Sequence, residues 1–238
     1  MFFLAKIILG FFDKFTQDQI FKFIKTVLNN KINTLLDVGS HCGEYINSIN
    51  SKFKIDKIFG FEPNPKSYEI LIKKIKNLNN VEVFNFAVGK DNEISTLNQN
   101  IESSSSSINQ LNENSKYFKR KYFFFNFLRK KKFINPIKIK TVSLSNFLED
   151  KNLDLIDLLK IDTEGYEFNV IKGLGKKLNK VKLIHLEHHF DDMVIKNYNL
   201  SDIHNYLVKN NFKKVFKIKM KFRKSFEYIY QNKITIKK

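Results

Sequence analysis

A chain of 238 residues with 42% hydrophobic residues, 25 Phe and 9 Tyr is long and apolar enough to bury a sizeable core, which excludes a disordered chain. Its single cysteine, Cys42, excludes an intrachain disulfide framework, so the expected setting is reduced and cytoplasmic. The formal net charge is +18, but lysine rises together with Asn, Ile and Phe, so placement says more than the total: ten Lys or Arg and no acid fall between Ser115 and Thr141, and seven more between Phe212 and Ser225.

The opening "MFFLAKIILGFF" is apolar for about twelve residues around Lys6, short of the roughly 20 that a bilayer span needs, and no small-residue cleavage site follows it. Next comes "TQDQIFKFIKTVLNN". Here Thr16 and Gln19 form a capping-box pattern, and Ile20, Ile24, Val27 and Leu28 share one helical face. Residues 1–33 are therefore expected to be a helical segment packed on the domain, with a membrane-surface anchor as the alternative. Residues 34–238 are expected to be the domain itself.

From there strands and helices alternate: "TLLDVG", a helix from about Glu44, "KIFGFE", a helix from about Lys66 to Leu78, and "VEVFNFAVG" as a third strand. "EISTLNQ" adds an edge strand. Residues from about 98 to 135 break the rhythm, with the run Ser103 to Ser107 and the basic aromatic stretch "KYFKRKYFFFNFLRKKKF", and read as an insertion. The alternation resumes with "IKIKTVSLSNFL", the strand "LLKID", a helix opening near Gly165, and the strand "VKLIHLEHH". A helix at Ser201 to Lys209 and the pair "FKKVFKIKM" and "FEYIYQ" follow. This order predicts an α/β fold with an open, doubly wound, mostly parallel sheet closed by an antiparallel C-terminal strand pair.

In such sheets ligands bind beyond the carboxyl ends of the strands, where Asp37, Glu62 and Asp162 stand. The first turn, "DVGSHCG", has Gly39 and Gly43 but not the G-x-G-x-x-G of a pyrophosphate cradle. Glu62 lies 19 residues past Gly43, near the offset at which an acid meets ribose hydroxyls. A nucleoside without a diphosphate is the expectation, and S-adenosylmethionine fits: it is cationic, and the acid Asp37 beside the turn suits it. Gly39 would let the backbone approach its methionine part, and Gly43 would let the helix start pack on the strand. The alternative is a plain α/β turn.

The segments "DVGSHCGEY", "GFEPNPKSYEIL", "FNFAVG", "SSSSSIN", "TVSLSNFL", "LLKIDTEGYEFNVIKG" and "IHLEHH" give the sequence, from Leu35 to His189, a strong resemblance to the FkbM family of S-adenosylmethionine-dependent methyltransferases. The resemblance implies a Rossmann-like class I methyltransferase fold. It also implies cofactor-binding positions at Asp37, Gly39, Gly43, Glu62, Asn64, Asn85 and Ala87. His41 departs from the family's usual Asn, and the basic insertion has no counterpart that aligns.

A methyl transfer needs an acceptor held in line with the methyl carbon and, for a hydroxyl, removal of its proton. Asp162 and Glu164, after "LLKID", and His188 at the end of the next strand are the catalytic candidates. Strand alternation puts His185, Glu187 and His189 on one face and His188 on the other. Helix capping is the alternative for the two acids, and an ordinary strand-end position for the histidines. Oxygen ligands are too few to argue a divalent ion, so no metal is expected. Cys42 reads as a packing residue.

The resemblance implies O-methylation of a hydroxyl on a sugar, glycan or related small polar metabolite. The basic aromatic insertion would then bind an anionic glycan or rest on the inner face of a membrane that presents the acceptor. An RNA substrate is the rival enzymatic reading, disfavoured because no RNA-binding module is recognisable. A non-catalytic glycan- or membrane-binding protein is the rival outside enzymes. The sequence carries no signal of oligomeric state.

Overall fold

The computed structural model describes residues 2–100, 106–116, 118–119 and 134–235. Most of the basic aromatic stretch therefore lies outside the described residues, as do Ser103 to Ser105. In chain order the elements are α1 (Phe2–Leu28), β1 (Lys31–Val38), α2 (Glu44–Asn50), β2 (Lys54–Phe61), α3 (Pro65–Ile75), β3 (Val81–Phe84), β4 (Ala87–Gly89) and β5 (Glu93–Asn100). They continue with β6 (Ile134–Ser143), α4 (Leu144–Asp150), β7 (Ile156–Ile161), α5 (Glu167–Lys172), a 3-10 turn (Gly175–Lys180), β8 (Val181–His189), α6 (Leu200–Lys209), β9 (Phe212–Lys219) and β10 (Ser225–Asn232).

Seven strands form the main sheet in the order β3-β2-β1-β7-β8-β10-β9. The first five pair in parallel, and β10 lies antiparallel between β8 and β9. The expected α/β architecture with its antiparallel C-terminal pair is the one observed. Leu35, Ile58, Leu158 and Leu183 pack on one face under α1, α2 and α3, while Leu36, Phe59, Leu159 and Ile184 pack on the other under α4, α5 and α6. Strand neighbours pointing to opposite faces into two apolar layers explain why the strands read as continuous apolar runs.

Three expectations need correcting. "VEVFNFAVG" is two strands: β3 stays in the main sheet, and β4 joins a second sheet of order β4-β6-β5, in which "EISTLNQ" is an edge. The break falls at Asn85, whose side-chain amide donates to the Glu62 carbonyl at 2.8 Å. Thr16 does not cap a helix, because α1 runs through it and buries it; the apolar residues before it continue the helix. The boundary expected at residue 33 falls inside β1, which starts at Lys31. Ile20, Phe21 and Ile24 of α1 are buried against the sheet. At about 1.5–3 kcal/mol per buried side chain, they fix this helix over the face where the cleft opens.

No helix among the described residues is long and apolar enough to cross a membrane.

Candidate functional site

A cleft of about 900 Å³ opens beyond the carboxyl ends of β1, β2, β7 and β8. Its walls include Gly39 and His41 after β1, Glu62 after β2, Ala87 and Val88 of β4, Asp162 and Glu164 after β7, and Glu187 and His189 of β8. Asp13 and Gln17 of α1 line it, as do Phe222 and Arg223 of the β9–β10 turn. Across its mouth Arg223 pairs with Asp13 at 2.5 Å, and the Phe12 and Phe222 rings meet edge to face at 5.2 Å.

At one end stands Glu62, 7% exposed. Its Oε2 accepts the His41 amide and its Oε1 the Asn64 amide, each at 2.8 Å, which fixes the carboxylate and leaves each oxygen a further lone pair for a ligand. Burial pushes the carboxyl up to about 7 despite these two donors. His41 reaches Glu62 because its backbone is left-handed, φ 47°, a region in which Asn and His are both enriched. The departure from Asn at this position therefore preserves the turn. Beside Glu62 the apolar side chains of Ala87, Val88, Leu97 and Ile108 line the wall. A fixed carboxylate beside an apolar wall suits a ribose diol and its base.

Of the other sequence-selected residues at this end, Asn64, Asn85, Asp37 and Gly43 support the wall without lining it. Asn64 caps α3 through its side chain and accepts from Gln99, and Asn85 holds the Glu62 carbonyl. Asp37 is buried next to Lys160 in the β1–β7 register, with Oδ2 lacking a hydrogen-bond partner; burial pushes its carboxyl up to about 6 against the lysine's pull. Gly43 starts α2 at φ 84° and packs on Leu71 and Ile75 of α3, not on the strand. Gly39 is required for a reason the sequence did not show. At φ 86°, a Cβ there would lie 1.8 Å from the Asp162 carbonyl oxygen, so the first turn and the β7 turn touch backbone to backbone.

The other end is acidic. Asp162, Glu164 and His189 bring ligand-capable atoms within 4.8 Å of one another. His189 Nε2 lies 3.6 Å from Glu164 Oε2 and 3.3 Å from Glu187 Oε1, and its Nδ1 lies 3.6 Å from Asp191 Oδ2. Burial alone would lower His189, but the carboxylates of Glu164, Asp191, Glu187 and Asp162 outweigh it and push the ring up to about 10. Burial, then Asp162 and the directly opposed Glu227, raise Glu187 well above the ordinary carboxylate range.

Asp162 and Glu164 thus stand in the cleft, and neither caps α5, whose N-cap Tyr166 makes no side-chain cap bond. His188 is not at the site. It points to the opposite face of β8, 3.8 Å from Glu167 and against Tyr198, as strand alternation requires. His189 occupies the position sought.

Glu167 holds the turn that carries the acids. Buried at 1%, it accepts from the Gly165 amide at 2.7 Å, from Thr163 at 3.3 Å and from the Tyr198 hydroxyl at 2.6 Å. Glu164 and Gly165 both have positive φ in this turn. The turn is strapped from above by Ser107, whose hydroxyl donates to the Glu164 carbonyl, and by Asn109, whose amide donates to the Gly165 carbonyl.

Sequence reasoning missed the floor between the two ends. Lys160, 4% exposed, pairs with Asp162 at 3.3 Å and lies 5.6 Å from the centre of the Tyr45 ring. His185 joins the Tyr45 hydroxyl at 3.3 Å to Glu227 at 2.9 Å. The available signal was a lysine inside the apolar run "IDLLKI", since a buried strand keeps a charge only with partners.

Residues 37–214 match the methyltransferase FkbM domain family. Among solved structures, the methyltransferase FkbM from Methylobacillus flagellatus superposes with a TM-score of 0.53 at 14% identity, covering 84% of this chain and 44% of its own. TrmK of M. capricolum, in complex with S-adenosyl-homocysteine, gives 0.51 at 10% identity, over 90% and 67%. The N-methyltransferase NodS from Bradyrhizobium japonicum gives 0.52 at 6%, over 93% and 96%. The chain therefore spans under half the length of the first of these, and likeness at such identities shows the fold alone. No curated protein sequence matches the chain. With a family match over most of its length and a cleft whose Glu62 end suits a nucleoside, the chain belongs to the FkbM family of methyltransferases and takes S-adenosylmethionine as its cofactor.

Proposed function

We propose that the chain is an O-methyltransferase acting on a hydroxyl of a sugar, glycan or related small polar metabolite. The observation that carries this reading is the acidic group Asp162, Glu164 and Glu187, with His189, opening into the same cleft as Glu62. Bound S-adenosylmethionine supplies an electrophilic methyl group, and the protein's part is to hold the acceptor in line and take its proton. Glu62 would hold the ribose hydroxyls, and Ala87, Val88, Leu97 and Ile108 the base. Asp162 and Glu164 would accept the hydrogen bond of the acceptor's hydroxyl, and the proton would pass to the carboxylates around them. On the α1 side Ile20 and the Asp13–Arg223 pair form the wall.

Among the described residues, eight carboxylates line the cleft against four lysines and arginines, in a chain of net charge +18. A polyanionic acceptor would meet repulsion where the chemistry occurs, which favours a neutral polyol over RNA. The observation on the side of RNA is β9, where Lys213, Lys214, Lys217 and Lys219 are exposed. Incubation with methyl-labelled S-adenosylmethionine and parallel panels of glycosides, amines and structured RNA decides. Label in a glycoside as an alkali-stable methyl ether is the expected result. Label confined to RNA or to amines would overturn the reading.

A further inference from the structure

The mouth of the cleft carries aromatic rings that the core does not use. Among the described side chains of α1, burial begins at Thr16; before it Phe15 is 49% exposed, and nothing lies within 4 Å of a Cβ placed on Gly10. Opposite stands the β9–β10 turn, Lys221-Phe222-Arg223-Lys224, with all four residues exposed. Phe222 is 73% exposed and holds a left-handed backbone, φ 63°, which is costly for so bulky a residue. Lys221 Nζ lies 4.7 Å from the centre of the Phe12 ring and 5.7 Å from that of Phe15, so the rings and cations of the two elements form one continuous rim. Residues 10–15 and 220–225 hold four cations, Lys14, Lys221, Arg223 and Lys224, against one acid, Asp13. Exposed Phe between Lys and Arg is complementary to acyl chains beneath a layer of anionic head groups. A polyanionic partner fits less well, because the stretch from Phe2 to Phe12 is apolar but for Lys6 and the cleft behind the rim is acidic.

We propose that this rim, made by Phe12, Lys14 and Phe15 of α1 and Lys221, Phe222 and Lys224 of the β9–β10 turn, docks on an anionic lipid surface and turns the cleft toward it. The docking does not depend on the reaction. Its role rests on the O-methyltransferase reading, in which the acceptor hydroxyl then belongs to the head group of a lipid.

The chain has no tryptophan, so Phe222→Trp places a single reporter at the turn of the full chain. With vesicles of phosphatidylcholine containing roughly a quarter phosphatidylglycerol, its emission should shift to the blue and be quenched by brominated acyl chains; with phosphatidylcholine alone it should not move. In flotation with the anionic vesicles, Phe222→Gly, which suits the left-handed backbone, and Lys221→Glu should each lower binding by ~10-fold or more. Circular dichroism checks that both variants are folded. Unmoved emission on anionic vesicles, equal binding by the variants and the parent, or tighter binding of the parent to structured RNA of matched charge would each overturn the proposal. Methyl-transfer assays on the same samples keep the two readings apart. Label in soluble glycosides with unmoved emission removes the docking alone, whereas a blue shift without label in any glycoside supports the docking and removes the O-methyltransferase reading.

Discussion

Single residues set the chemistry of both ends of the cleft. Glu62→Ala should weaken S-adenosylmethionine binding by roughly 1.5–3 kcal/mol, the scale of hydrogen bonds to a charged group, in calorimetry on folded protein. Undiminished affinity would remove Glu62 from the pocket. The same residue gives a pH signature without ligand. Burial pushes its folded-state pKa up to about 7, above the ordinary glutamate value of 4.5. It therefore favours folding fully only below about pH 4.5 and loses that contribution as pH rises through about 7. Glu62→Gln removes the titration, so between about pH 5 and about pH 7 the variant should lose less stability than the parent, by about 2 kcal/mol. Parallel profiles from chemical denaturation would show that burial does not neutralise this carboxyl. Gly39→Ala places a methyl group against the Asp162 carbonyl in a left-handed backbone. Loss on the order of 3 kcal/mol of stability is expected in denaturant titration.

At the scale of elements, the β7–α5 turn carries the acids, and Glu167 carries the turn. Glu167→Ala should cost roughly 3 kcal/mol of stability, because it leaves the Gly165 amide and Tyr198 hydroxyl without their acceptor. Asp162→Asn and Glu164→Gln should instead lower turnover by ~100-fold or more with cofactor affinity kept. A change in melting temperature alone would return them to a structural role. The sequence revealed these elements where spacing determines the outcome. The strands are continuous apolar runs, the helix expected at Ser201 to Lys209 is α6, and alternation along β8 separates His188 from His189. It did not reveal contacts made between elements. That Gly39 touches Asp162, that β4 leaves the main sheet after Asn85, and that Lys160 finds Asp162 all depend on where distant segments meet. A charged residue in an apolar strand marks such a meeting without naming the partner.

At the scale of the whole molecule, a basic exterior surrounds an acidic cleft. Residues 117 and 120–133 are outside the described residues, but the charge of this stretch is legible, and we propose that it meets an anionic membrane or glycan. Replacing Lys130, Lys131 and Lys132 by Glu should abolish binding to anionic vesicles, since each near-surface charge contributes about 1 kcal/mol, and raised salt should mimic the change. Cofactor affinity should stay as in the parent, and stronger binding of the parent to structured RNA of matched charge would count against the membrane. The sheet order also bears on how the protein is made. β10 lies between β8 and β9 although it follows both in the chain, and its Glu227 is the partner of His185 on the cleft floor. A nascent chain stalled on the ribosome with Ser225 to Asn232 still in the exit tunnel would have translated Asp37, Glu62, Asp162 and Glu164. It would nonetheless hold β8 with an open edge and His185 without its carboxylate. The ability to retain S-adenosylmethionine should then arise late and in one step as β10 emerges, and until then the exposed edge of β8 would be a natural target for chaperones.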